Sequence, residues 1–302
     1  MRALGVTGVL STAPDAVVLL FALLTQLGDP WFLFLALALT YWLAPRWVAD
    51  DTRRVAALLV AFGLGAAMLT LGLKTIFALP RPPGAGTATP PPWLPSVLRG
   101  GFLWAATGDG FGFPSGHALG STVVYGGFAA LSTVADRSTR RYAAAAVVAL
   151  VSLSRLVLGV HYFVDVAVGV ALGLLFLWAA LRVGDVDPTR AFGIAAALAV
   201  GSLAAALATA HPEQVVEAAA GVGASAGGLA GWLFTDRRGA TPATVPRLAV
   251  APAAVVAGGL WVVGSAGSLS PPAVAAVDFA SVFLVVALPA LVELAAGRTT
   301  TA

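Results

Sequence analysis

The chain has 302 residues, of which 59% are hydrophobic and only 10% charged, with a mean hydropathy of +0.92. Those values exclude an ordinary soluble domain and describe a chain that spends most of its length in a bilayer. A formal charge of +3 is too small and too scattered for nucleic-acid binding, and with no cysteine there is no thiolate catalysis, no disulfide and no Cys-ligated metal.

Residues 1–14 hold one arginine and no apolar stretch followed by a small-residue cleavage site, so no cleavable leader is expected there. The apolar run from Ala16 to Leu27 is bounded by Pro14-Asp15 and Asp29-Pro30, and reads as an interfacial helix or a short first span. A full span needs about 20 mainly apolar residues. Stretches of that kind predict helices over 31–48, 55–78, 116–134, 142–159, 162–183, 191–210, 214–234, 247–267 and 273–295. The expected fold is all-α, a polytopic transmembrane bundle of about nine spans plus the short N-terminal helix. Its connectors are short except 80–113, which is rich in Pro, Gly and Thr and is expected to roof a site; Trp93 and Trp104 within it read as interfacial anchors.

Glycines at four-residue spacing, Gly169 and Gly173, then Gly223, Gly227 and Gly231, predict close helix packing within the chain rather than a dimer interface. His211, Glu213 and Glu217 cluster at one outer turn, with Asp278 near the same level, and read as solvated helix-end groups. Twelve arginines (46, 53, 54, 137, 140, 141, 182, 190, 237, 238, 247 and 298) fall on alternate connectors and in the C-terminal tail, whereas the opposite side holds only Lys74, Arg81, Arg99 and Arg155. The positive-inside rule puts the twelve in the cytoplasm and the other four outside.

Three ordered clusters carry most of the remaining charge. Lys74 precedes Arg81-Pro82; His117 closes Pro114-Ser115-Gly116-His117; Ser154-Arg155 is followed by His161 and Asp165. Charged groups at membrane depth are expensive and mark functional sites. Lys74, Arg81 and Arg155 would attract an anion and neutralise phosphoryl oxygens in a transition state. Ser115 can cap the following helix, and Gly116 lets backbone N–H groups approach a phosphate at the helix N-terminus. His117 is then placed to protonate a leaving oxygen. His161 and Asp165, four apart, share a helical face, so the carboxylate can orient the imidazole as a nucleophile toward phosphorus. A metal held by His117, His161 and Asp165 is disfavoured, because three neighbouring cations would repel a divalent ion. No cofactor is expected.

The order Lys-x6-Arg-Pro, Pro-Ser-Gly-His, Ser-Arg-x5-His-x3-Asp resembles the type 2 phosphatidate phosphatase family, within a superfamily that also holds vanadium haloperoxidases and bacterial acid phosphatases. Every motif position is matched, from Lys74 to Asp165. The resemblance implies a helical core holding all three motifs, His161 as phosphohistidine nucleophile, and a lipid-linked phosphate or diphosphate as substrate; the arginine placement sets that site at the outer face of the cell membrane. It covers roughly residues 1–185, leaving 186–302 as a four-helix transmembrane extension of unassigned role. Two rivals remain: a lipid phosphotransferase using the same intermediate, and a non-catalytic anion- or lipid-binding membrane protein or transporter. The His161–Asp165 pair argues against the second, since anion binding needs only the cations. A haloperoxidase is disfavoured, as known members are soluble.

Overall fold

The computed structural model describes residues 5–183, 187–237, 245–266 and 269–297. Among them the chain is entirely helical: α1 (Val6–Leu10), α2 (Asp15–Leu24), a 3-10 turn (Thr25–Gly28), α3 (Pro30–Leu43), α4 (Thr52–Phe77), α5 (Ser96–Ala106), α6 (Gly116–Leu131), α7 (Arg137–Val157), α8 (Phe163–Val183), α9 (Pro188–Ala208), α10 (Pro212–Asp236), α11 (Arg247–Ser265) and α12 (Pro271–Ala295). All nine helices anticipated from hydropathy are present. Five of them, α4, α8, α9, α11 and α12, are individually long and apolar enough to cross a membrane, and α2 with α3 forms a pair bent by 47° that passes the same test together. Arg238 and Arg298 lie outside the described residues.

The run Ala16–Leu27 forms α2 and the 3-10 turn, which continue into α3 through a bend of 47°, and the pair is long and apolar enough for a span only when the two are taken together. Pro30, at the first position of α3, has no N–H and pushes the residue before it out of helical geometry, so Asp29 is extended (φ −75°, ψ 138°). The break therefore sits at a charged residue.

At the centre lies α4, almost uniformly apolar from Val55 to Leu73 and buried on nearly all sides, as a helix without a polar face must be. Its 26 residues start at the Asp51 N-cap, whose side chain accepts from the Arg54 N–H at 3.0 Å, and stop at Ala78 in the left-handed region (φ 46°) before Leu79-Pro80. Around it pack α3, α6, α9 and α10.

Both glycine stripes pack helices within the chain. A Cβ at Gly169 would lie 2.7 Å from the Ser115 carbonyl, and one at Gly173 2.8 Å from Thr122 Cβ, so α8 crosses α6 backbone to backbone. Gly223, Gly227 and Gly231 hold α10 equally close to Ala275, Phe279 and Val286 of α12.

Within α12, Pro289 cannot donate to the Val285 carbonyl. Free carbonyls in a membrane helix must find partners on neighbouring helices. Trp42 Nε1 donates to Val285 O at 2.7 Å, and Tyr41 Oη and Thr235 Oγ1 donate to Val286 O at 2.8 and 3.2 Å. The inner end of α3 is thereby pinned to α12.

Two helices were not anticipated, the five-residue α1 and the longer α5. α5 lies in the 80–113 segment, where Arg99 and Gly100-Gly101 interrupt the apolar pattern that hydropathy detects. Phe102, Ala105 and Ala106 nonetheless form a small core with Leu94 and with Ala22 of α2.

Candidate active site

Four helix ends meet at one level. α4 delivers Lys74 in its last turn, α7 delivers Arg155 in its last turn, and α6 and α8 begin with His117 and Asp165. A turn at 158–162, passing through Gly159 at φ 70°, carries His161 between α7 and α8. Two bonds fix that turn: His161 N–H donates to Arg155 O at 3.3 Å, and Thr7 Oγ1 of α1 donates to His161 O at 3.0 Å.

The imidazole of His161 is only 1% exposed. Arg81 Nη1 lies 3.0 Å from its Nε2. A guanidinium nitrogen only donates, so Nε2 is the acceptor, and the ring proton sits on Nδ1. Nδ1 faces Asp165 Oδ2 at 3.7 Å, longer than a hydrogen bond but within ion-pair reach. Asp165 is itself held, with Oδ2 accepting from the Tyr162 N–H at 3.0 Å and its carbonyl accepting from the Ser115 N–H at 2.9 Å. Burial first, then the charges of Arg81, Arg155 and Lys74, hold His161 well below the usual imidazole pKa. It stands neutral, with a lone pair facing the cations.

Arg81 is clamped from outside: Nε donates to Asp109 O at 2.7 Å and Nη1 to Val160 O at 3.0 Å. Burial pulls its pKa below the ordinary value, opposed by Asp109 and Asp165. Arg155 is buried and donates through Nη1 to Thr25 Oγ1 at 2.7 Å, in the 3-10 turn of the broken helix.

One cavity of about 410 Å³ joins these groups. Lys74, Arg81, Gly116, His117, Arg155 and His161 line it, whereas Ser115 and Asp165 do not. Both are fully buried behind the wall, with Ser115 Oγ spent as the N-cap of α6 on the Ala118 N–H. The structure thus gathers all eight motif residues and divides them into six that face the space and two that support it.

Four further residues belong to the site and were not read from the sequence as part of it. His117 Nε2 lies 3.5 Å from Asp29 Oδ2, at the break between α2 and α3, so the second histidine also has an acid. Thr25 holds Arg155 from the same break. Trp104, read as an anchor, is exposed and also lines the cavity. Glu217, expected as a solvated helix-end group, is exposed near the start of α10 and in addition lines the cavity with Lys74, because α10 packs on α4. His211 is likewise not a bare turn residue, for its ring meets Phe111 edge-on at 5.1 Å and docks the α9–α10 turn against the roof. Asp29 left a signal, a lone acid between two apolar runs, which is a functional marker at membrane depth.

Fold and site together define an integral-membrane helical bundle with a buried, cation-rich centre built around a neutral, oriented histidine. Residues 54–186 match the family model of the PAP2 superfamily, a match consistent with membership of that family. Members are phosphatases, so the coarse activity is hydrolysis of a phosphoric ester. No curated protein and no solved structure matches the chain.

Proposed function

We propose that the protein hydrolyses a lipid-linked phosphate or diphosphate, without a metal, through a phosphohistidine on His161. The observation that carries this reading is the placement of His161 Nε2 as acceptor from Arg81, its lone pair turned toward the phosphate-binding cations. In the first step Nε2 attacks phosphorus while the P–O bond to the leaving group breaks, and the departing oxygen takes a proton from His117. Lys74, Arg81 and Arg155 neutralise the phosphoryl oxygens as charge spreads over them. In the second step water adds to phosphorus, gives a proton back to His117, and the P–N bond breaks to release inorganic phosphate and neutral His161. Asp165 orients the nucleophile and Asp29 the acid.

The site faces the extracytoplasmic side of the cell membrane in this reading. Helix polarity supports it: α4 runs from Arg53 to Lys74, α7 from Arg137 to Arg155 and α8 from Asp165 to Arg182, so the non-catalytic arginines gather at the opposite end. An outward site at the membrane surface suits an isoprenoid-linked substrate released there over phosphatidate.

The test is to trap the intermediate. Purified protein quenched during turnover of a radiolabelled lipid phosphate should carry acid-labile, base-stable label, absent in His161→Ala. Label absent from active wild-type enzyme overturns the mechanism, and label passed preferentially to an added alcohol makes the protein a transferase. Single cysteines at Gly86 and Ser138, on a chain with none of its own, decide the orientation: an impermeant thiol reagent should reach the first and not the second in intact cells.

A further inference from the structure

The helices α9–α12 lie outside the matched family segment, yet two of them grip the helix that delivers Lys74. Ser202 Oγ of α9 donates to Met68 O of α4 at 2.6 Å, and a Cβ at Gly72 would stand 2.8 Å from that same hydroxyl. From α10, a Cβ at Gly221 would overlap Met68 Sδ. Met68 and Leu71 form a small core there with Ala199 of α9 and Ala218 of α10. Both helices are thus locked to the C-terminal half of α4, with no room for a methyl group at Gly72 or Gly221.

That lock sets a register. The start of α10 meets the roof at His211 and Phe111, so the helix runs antiparallel to α4. From the Met68–Gly221 contact, Lys74 lies six residues further along α4 and Glu217 four residues back along α10. At about 1.5 Å per residue, the two stand within about 3 Å of one level on neighbouring helices. Both line the cavity. Of the acids around Lys74, Glu217 acts on its charge more strongly than Asp109 does. No salt bridge joins the two among the described residues, so the ammonium is open to an anion while the carboxylate acts across space.

A centre that neutralises a transition state with three cations also holds the product. Inorganic phosphate has the charge of the ester it came from, and Lys74, Arg81 and Arg155 alone would retain it about as firmly as substrate. A carboxylate at the edge of the same cavity opposes that attraction by simple Coulomb repulsion.

We propose that Glu217 is a positioning residue that acts through Lys74: it holds the ammonium from the α10 side and offsets part of the cationic charge, so that inorganic phosphate leaves after each turnover. The proposal rests on the hydrolase reading above. It gives the C-terminal helices a part in turnover without a place in the bond-breaking steps. Loss of one unit charge several ångströms from the phosphate should tighten its binding by roughly three- to thirtyfold, for effective dielectrics between about 80 and about 20.

The experiment compares full-length wild type with Glu217→Gln, Glu217→Asp and Glu213→Gln in detergent micelles. Binding of radiolabelled inorganic phosphate is measured by equilibrium dialysis, and steady-state kinetics on p-nitrophenyl phosphate. In Glu217→Gln the phosphate Kd and the KM should fall together and kcat should fall with them, because ground state and product are both held more tightly. The difference from wild type should shrink as salt is raised from about 0.02 to about 0.5 M, since an exposed charge is screened. Glu217→Asp keeps the charge and should keep wild-type values. Glu213, exposed in the first turn of α10 and absent from the cavity wall, should matter little. The proposal is overturned if phosphate binds Glu217→Gln no more tightly, if the change ignores salt, or if Glu217→Asp behaves like Glu217→Gln. A raised KM with lowered kcat would mean lost structural support instead, and tighter phosphate with unchanged kcat would remove the role in release. Wild type that binds phosphate but neither turns over nor forms a phosphoenzyme sinks the hydrolase reading, and the Kd comparison then still decides the counter-charge. Wild type that binds no phosphate overturns both.

Discussion

Two histidine–aspartate pairs face the same cavity, and they are built in opposite ways. His161 and Asp165 are four residues apart on one turn of chain, and the acid is fully buried and held by the Tyr162 N–H. His117 and Asp29 are 88 residues apart, and the acid sits at the break of a bent helix that lies wholly outside the matched family segment. In the proposed mechanism, nucleophile orientation is thus encoded locally and rigidly, whereas orientation of the acid depends on how a separate helix docks. A pair of the first kind can be copied with its motif; one of the second kind must be rebuilt by each fold.

The comparison can be broken by mutation, beginning with the largest expected effect. His161→Ala should reduce turnover to background while the purified protein keeps its melting temperature within a few degrees, since only the nucleophile is lost. Asp165→Asn should lower kcat by roughly 10²–10⁴-fold on every substrate, because it removes the group that orients the nucleophile. Asp29→Asn should cost less, about 10–10²-fold on an alkyl phosphate, and far less on p-nitrophenyl phosphate, whose leaving group needs no acid. Equal sensitivity of both asparagine variants to the leaving group would erase the division of labour between the pairs.

A pH profile sharpens the same contrast. His161 must be neutral to attack, and its folded pKa lies well below the ordinary imidazole value of 6.5. Protonation therefore removes the nucleophile only when the pH has fallen well under that value, and the acid limb of kcat/KM should lie below the usual histidine range. An acid limb centred near 6.5 would mean that the ring is more solvated than its burial indicates. The smallest effect is expected at the roof: His211→Ala removes one edge-on ring contact, worth about 0.5–1.5 kcal/mol, and should lower thermal stability slightly with little change in kcat.

These differences track what could be read in the chain. The nine long helices follow from hydropathy, because apolar length is a local property. The three motifs are legible for the same reason, each being a short run placed at a helix end. Asp29 was visible as an acid before a proline and was taken for a terminator; nothing local says that His117 will stand 3.5 Å away. Glu217 lies within the first turn of a predicted span, and only the packing of α10 on α4 brings it to the cavity with Lys74. α5 escaped because Gly100-Gly101 erases its period, while its stability comes from Phe102 and Ala22, which are distant in sequence. Long-range contact, not residue chemistry, is what the sequence withholds.

The bonds at the kink of α12 have a consequence for assembly. Trp42 and Tyr41, at the C-terminal end of α3, donate some 240 residues ahead to the carbonyls of Val285, which Pro289 leaves free, and of Val286 beside it. The helix that carries Asp29 is already seated on α4 and α6, and the turn that holds Thr25 on α7 and α6, so α12 contributes a late polar anchor at the opposite end of α3. A nascent chain halted before α12 would hold every motif and lack only that anchor, so the centre can assemble before the last helix arrives and is then fixed by it.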